Sequence, residues 1–144
     1  MYNFLLVLHS LLRWLILLLL VLNIVRLFNA KGPAKPGNSI LLLIFSHTTL
    51  LIGLYQYFFG GFGISLFQQG AEVMKNSATR FWAVEHITGM IIGIALITVG
   101  HISLKKTGKA KRTAILYLIA LIIILVTIPW PFREGIARPW FHGF

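Results

Sequence analysis

Hydrophobic residues occur along this chain in long runs, separated by short segments that hold most of the charged residues, glycines and prolines. The runs cover roughly residues 4–28, 39–59, 81–104 and 113–130. Each is close to the ~20 residues that a helix needs to cross a ~30 Å hydrocarbon layer. The pattern predicts an all-α fold, a four-transmembrane-helix up-down-up-down bundle, forming a single integral membrane domain over residues 1–144.

Composition supports a membrane protein and narrows its chemistry. Hydrophobic residues make up 58% of the chain and charged residues 11%, far from the balance of a water-soluble domain. The lipid bilayer is therefore the first expected partner. The chain has no cysteine, which excludes disulfides, covalent c-type haem, cysteine-held iron–sulfur clusters and thiolate zinc sites. Histidine is the only strong transition-metal ligand in the runs.

Positive charges are distributed unevenly between the two sides of the predicted bundle. The segments around the first and third connections contain no acid and carry Arg26, Lys31, Lys35, Lys105, Lys106, Lys109, Lys111 and Arg112. The other side carries Lys75, Arg80, Arg133 and Arg138, together with the acidic residues Glu72, Glu85 and Glu134. The positive-inside rule then predicts a multi-pass protein of the bacterial inner (cytoplasmic) membrane with both termini on the periplasmic side. The net charge of +10 is explained by topology and anionic lipid, and no nucleic-acid partner is expected.

Two histidines lie at matching depths in the first and third runs. His9 and His86 are both roughly 10 Å to the outer side of the middle of their runs, at ~1.5 Å per residue. In an up-down-up-down bundle these two helices run parallel and can lie on a diagonal, so the side chains could meet across the core. The pair predicts a metal site, with His9 and His86 as axial ligands of one haem b.

Neighbouring residues share the faces of these histidines. Arg13 lies on the same helical stripe as His9. Gly89 and Gly93 share the stripe of His86, and two interpretations of them are open. A Gly-x-x-x-Gly row is typical of a close helix contact, and it could equally leave room for a flat macrocycle and so contribute to cofactor binding.

Arg13 is the most costly residue of the first run, because a guanidinium inside a bilayer requires a partner. One interpretation is an ion pair with Glu85. The other is a contact to a haem propionate or to a quinone carbonyl, for which a planar donor is suited. Arg80, Arg133 or Arg138 are expected to meet the propionates at the outer surface.

His47 lies near the middle of the second run and is too deep to share an iron with His86. Two interpretations are open: a buried histidine bonded to a backbone carbonyl, to Ser46 or to Thr48, or a quinone contact or proton relay. Glu85 is a candidate for the same relay. His101 is expected to be an interfacial residue near the basic end of its run, and no second haem is predicted.

Several segments carry a resemblance to a known family. They are His9-Ser10-Leu11-Leu12-Arg13-Trp14, Phe45-Ser46-His47, Phe81-Trp82-Ala83-Val84-Glu85-His86 and Ile128-Pro129-Trp130-Pro131-Phe132. Over nearly its whole length the chain resembles small four-helix membrane proteins of Bacteroidota that are labelled "cytochrome B". It is more distantly similar to bacterial cytochrome b561 and superoxide oxidase proteins. The resemblance implies haem b binding and a link to quinones.

The sequence leads to two main functional hypotheses. The first is a b-type haem membrane cytochrome that transfers electrons between an outer-face partner and the quinone pool, as a quinone-linked oxidoreductase; its catalytic residues are unknown. The second is a cofactor-free accessory or assembly subunit of a larger membrane complex, or a homo-oligomer. Proton or ion transport through His47, Arg13 and Glu85 is a weaker third, since the helices lack paired interruptions.

Overall fold

Long helices account for most of the chain in the computed structural model, which describes residues 1–143. They are α1 (Tyr2–Phe28), α2 (Ser39–Phe59), α3 (Ser77–Thr107) and α4 (Ala110–Thr127). Each is long and apolar enough to cross a membrane, so the chain has the build of a multi-pass membrane protein. The predicted all-helical four-helix bundle is confirmed, and no strand occurs among residues 1–143.

The third helix begins before the hydrophobic run that predicted it. The side chain of Asn76 accepts hydrogen bonds from the backbone N–H groups of Ala78 and Thr79, and so caps the start of α3. The first turn of α3 lies in a polar stretch that the hydrophobic pattern does not include. The predicted start of this helix at residue 81 was therefore wrong. Within α3, residues Phe81–Glu85 form a π-helical turn directly before His86.

The fourth helix also lies earlier in the chain than predicted. Gly108 has a φ of +65°, a left-handed conformation that ends α3 and lets α4 begin at Ala110. At the other end, Ile128 is extended, with φ −75° and ψ 136°. A residue that precedes proline disfavours the helical region, so Pro129 ends the helix at Thr127 and the predicted end at residue 130 was wrong.

The helices pack in chain order around the bundle. Helix α1 packs against α2 and α4, and α3 packs against the same two helices, which places α1 and α3 on a diagonal. At one end, the connections 29–38 and 108–109 meet through a hydrogen bond from the Ala34 N–H to the Gly108 carbonyl, 3.0 Å. We call this the basic end. The opposite end, with residues 60–76 and the C-terminal segment 128–143, is the terminal end.

The apolar core lies mainly in the basic half of the bundle and reaches the terminal end at Ile124 and Ile128, beside a more open region. Its fully buried members include Leu20, Leu27, Leu42, Ile97 and Leu104. Side chains on the outside of the bundle are also apolar, as expected for surfaces that face lipid; examples are Leu18, Leu51 and Val126, each more than half exposed. The more open region at the terminal end is where the candidate site lies.

Candidate functional site at the terminal end

A cavity lies between the four helices at the terminal end. The empty space between the helices measures about 1370 Å³, a figure that includes the open solvent at the mouth of the cavity. Most of the wall is apolar. The polar side chains that line it are Tyr2, His9, Ser10, Arg13, Thr49, Gln56, Tyr57, His86, Arg138 and His142.

His9 and His86, the two histidines that the sequence matched in depth, both line this cavity. They reach it from α1 and α3, the two helices that lie on the diagonal of the bundle. The remaining membrane-embedded histidines, His47 and His101, do not line it. The cavity therefore brings together one histidine from each of two opposite helices.

The orientation of His86 is fixed by the end of α4. Its Nδ1 donates to the carbonyl oxygen of Thr127 at 2.7 Å. That carbonyl has no helical partner, because the residue four positions on is Pro131, which lacks an N–H. Since Nδ1 carries the proton, Nε2 keeps its lone pair free. Donation of one ring N–H to a backbone carbonyl is the arrangement usual for metal-ligating histidines.

A second proline has a parallel effect two residues earlier. The helical partner of the Leu125 carbonyl would be the N–H of Pro129, which does not exist. The indole Nε1 of Trp130 donates to this carbonyl instead, at 2.8 Å. The two prolines thus leave two carbonyls without a helical N–H donor. His86 of α3 donates to one of them, and Trp130 of the C-terminal segment donates to the other. The segment from Ile128 to Phe132 is therefore part of the wall that positions the site.

His9 lies against α2 at a position without a side chain. A Cβ atom added to Gly53 would lie 3.3 Å from Cε1 of His9, tighter than ordinary van der Waals contact. Glycine at this position lets the imidazole approach the helix backbone. The Nδ1 atom of His9 is buried on this side of the ring, toward the backbone of Thr49.

Arg13 is bound by the C-terminal segment, and the ion pair with Glu85, one of the two interpretations of this residue, is not formed. One terminal nitrogen of its guanidinium donates to the Trp140 carbonyl at 2.6 Å and to the Ser10 hydroxyl at 3.3 Å. The indole of Trp14 donates to the same carbonyl at 2.8 Å. Arg13 therefore lines the cavity and also holds residues 128–143 over it.

Glu85 and Arg80 pair with each other and do not line the cavity. The distance from Arg80 Nε to Glu85 Oε1 is 2.7 Å, and both side chains are partly exposed. Residues five apart do not share a face of an α-helix, but they do approach across the π-helical turn that separates these two. This turn is the physical reason why Arg80 and Glu85 point away from the predicted site.

Gly89 and Gly93 serve a close helix contact. A Cβ atom at Gly89 would collide with Thr127, and one at Gly93 would lie 2.8 Å from Ile124. Neither glycine lines the cavity. The geometry therefore supports the first interpretation, a close contact between α3 and α4. This contact also brings Thr127 within reach of His86.

His47 and His101 have partners that the sequence did not suggest. His47 is exposed on the outside of the bundle, and its Nε2 lies 2.9 Å from the Thr98 hydroxyl of α3. A buried position, expected in one interpretation, was wrong. His101 is buried and its Nδ1 lies 2.8 Å from the Ser39 hydroxyl, while its interfacial depth stays a prediction.

Sequence reasoning missed the part of α2 that lines the cavity. Thr49, Gly53 and Gln56 follow one another at spacings of four and three residues, which places them on one helix face. Thr49 Oγ1 and Gln56 Nε2 are buried without a hydrogen-bond partner among the described residues. The signal was present, since these small or polar residues recur on one face of a mostly apolar helix.

The cavity has an excess of positive charge. Arg13 and Arg138 line it, and no acidic residue does. The Arg138 guanidinium lies over the rings of Phe62 and Trp82, at 4.5 and 4.9 Å from their centres. The ion pairs formed within residues 1–143 are both outside the cavity. The site is therefore suited to a largely apolar ligand that carries negative charge at the terminal end.

Fold and site together define a four-helix, multi-pass membrane protein with a histidine- and arginine-lined cavity at one end. No family model, no curated protein and no solved structure matches this chain.

Proposed function

We propose that the chain is a b-type haem membrane protein that transfers single electrons, with His9 and His86 as the ligands of one haem. The observation that carries this proposal is that the two histidines line one cavity from opposite helices. One of them has its tautomer fixed by Thr127, and the other has its Nδ1 buried toward the backbone of α2. These are the features expected of histidines that await a metal.

The donor set fits a porphyrin better than a bare metal ion. Among residues 1–143 there is no group of three or more His, Cys, Asp or Glu side chains that could hold a metal. A protein-bound zinc ion normally requires three or four such ligands. Two histidines suffice for a haem, because the macrocycle supplies the other nitrogens.

The remaining residues of the cavity have roles that follow from their charge and polarity. Arg13 and Arg138 would face the propionates, whereas Arg80 is engaged with Glu85. The apolar wall would exclude water, and a bound haem would supply reversible one-electron oxidation and reduction of its iron. Two histidine ligands leave no open coordination position, which favours electron transfer over oxygen binding.

The location and partners of the protein complete the proposal. The basic residues at one end of the bundle support an inner-membrane protein with that end in the cytoplasm. The cavity then opens toward the periplasm, where an outer-face partner would exchange electrons. Quinones dissolved in the membrane are the proposed second partner.

The test is a visible spectrum of the purified protein in its oxidised and dithionite-reduced states. We expect a sharp reduced α band that is absent from the His9→Ala and His86→Ala variants. His47→Ala is the matched control, because this histidine lies in a membrane helix outside the cavity, and it should keep the band. A colourless protein, made with ample haem, would overturn the proposal and favour a cofactor-free accessory subunit.

A further inference from the structure

A histidine and a threonine form a polar pair on the outside of the bundle, apart from the cavity. His47 of α2 is exposed and bonds to Thr98 of α3 at 2.9 Å. His47 lies eight residues from the start of Ser39–Phe59, about 12 Å along the helix axis, so it is near the middle of the bilayer. A polar side chain at this depth and on this face is in contact with lipid, where water is absent.

The hydrogen bonds of Thr98 determine which nitrogen of His47 carries the proton. The Thr98 hydroxyl donates its single hydrogen to the Ile94 carbonyl at 2.8 Å. It must therefore accept from His47, which makes the Nε2 atom of His47 an N–H donor. The Nδ1 atom is then a free lone pair, and no hydrogen bond to it forms among residues 1–143. The pair presents a hydrogen-bond acceptor to the lipid.

A second copy of the chain would not complement this acceptor. Across a twofold axis it would bring the same Nδ1 lone pair. The neighbouring exposed hydroxyl, that of Thr48, already donates to the Ile44 carbonyl of its own helix at 2.8 Å. The occupant must instead carry its own O–H or N–H group and dissolve in the hydrocarbon layer.

We propose that the surface formed by His47 and Thr98 binds the hydroxyl group of a membrane-dissolved quinol. The surroundings are apolar and exposed, with Ile44 and Leu51 on α2 and the small Ala95 on α3. A quinol donates to the acceptor, whereas the carbonyl of the oxidised quinone finds no donor there. The surface therefore selects the reduced form. The choice of a quinol among hydroxylated membrane molecules rests on the electron-transfer function proposed above.

The experiment titrates the full-length protein in detergent micelles with a decyl-substituted benzoquinol, with its quinone and with its dimethyl ether. The dimethyl ether keeps the ring and the tail and lacks both donors. The readout is the ¹⁵N NMR signal of the unprotonated Nδ1 of His47, assigned by its loss in His47→Phe. We expect the quinol alone to shift this signal and to bind about three- to tenfold more tightly than the dimethyl ether, the range for one hydrogen bond.

Two threonine variants complete the design. Thr98→Val leaves the Nε2–H of His47 without an acceptor, so it can donate to a quinone carbonyl. The preference for quinol over quinone should then disappear. Thr48→Val is the matched control on the same face and should leave the preference intact. Equal binding of the quinol and its dimethyl ether would overturn the proposal, as would self-association of the protein that is lost in His47→Phe. The titration requires no haem, so its failure is separate from that of the electron-transfer proposal.

Discussion

At the scale of single residues, both candidate ligands are positioned by groups far away in the sequence. His86 is oriented by the Thr127 carbonyl, which Pro131 leaves free, and His9 lies against Gly53. In each case a missing group makes the contact possible: Pro131 has no N–H group, and Gly53 has no side chain. Such features have no chemistry of their own, so neither would be chosen as functional from its residue type.

The contact between His9 and Gly53 yields a prediction about packing. Gly53→Val places a branched side chain where the imidazole lies, and overpacking of this kind typically costs about 1–3 kcal/mol of unfolding free energy. We expect a matching loss of stability and a reduced haem content. The measurement is thermal unfolding together with the absorbance ratio of haem to protein. Gly61→Val is the control, because a Cβ atom at Gly61 meets nothing within 4 Å; equal effects in the two variants would refute the contact.

At the scale of secondary-structure elements, the π-helical turn at the start of α3 decides which arginine serves the cavity. It directs Arg80 toward Glu85, while Arg138 of the C-terminal segment reaches the cavity wall. This turn therefore separates Arg80 from Arg138, two of the three arginines that the sequence treated as equivalent. π-helical turns inside α-helices often occur at functional sites.

The two arginines should differ in their effect on redox potential. A cation beside a haem favours the reduced iron, so Arg138→Gln is expected to lower the midpoint potential by on the order of tens of millivolts. Arg80→Gln removes the same charge outside the cavity and should change the potential little. A spectroelectrochemical titration of both variants measures the difference. If Arg80→Gln gave the larger shift, the assignment of Arg138 to the cavity would be wrong.

Much of the fold follows from the hydrophobic pattern, and the site follows from it only in part. Residues 39–59 were predicted with the bounds that α2 has, and His9 and His86 were singled out by depth alone. The depth of a residue in a helix follows from the constant rise per residue, so it can be counted from the sequence. The partner of Arg13 is the Trp140 carbonyl, and a backbone group carries no signature in the sequence. Contacts of this kind depend on how the chain folds back.

At the scale of the whole molecule, the C-terminal segment closes the terminal end of the bundle. The Trp140 carbonyl accepts from Arg13 and Trp14, and the His142 N–H donates to the Ser10 hydroxyl at 3.3 Å. Aromatic contacts of Trp140 with Trp14 and Trp130 accompany these bonds. Arg138, Pro139 and His142 of this segment form part of the cavity wall, so the segment covers part of the cavity.

A chain that ends at Ala137 should therefore have a more accessible cavity. The absence of cysteine allows a single thiol to report on this, and Gln56→Cys places it in the cavity wall. We expect maleimide to react with this thiol about tenfold faster or more in the shortened chain, since the lost hydrogen bonds contribute about 1 kcal/mol each. Tyr55→Cys, an exposed neighbour, is the control for general reactivity. Unchanged labelling of Gln56→Cys would show that the segment does not limit access.

The hydrogen bond between His86 and Thr127 also bears on the order in which the protein is made. Thr127 is the last residue of α4, the last of these four helices to leave the ribosome. Until α4 has inserted and packed along Gly89 and Gly93, His86 lacks the carbonyl that fixes its tautomer. Under the proposed function, a chain without α4 would carry both candidate ligands and lack the carbonyl that orients His86, so haem would bind firmly only after all four helices are in the membrane.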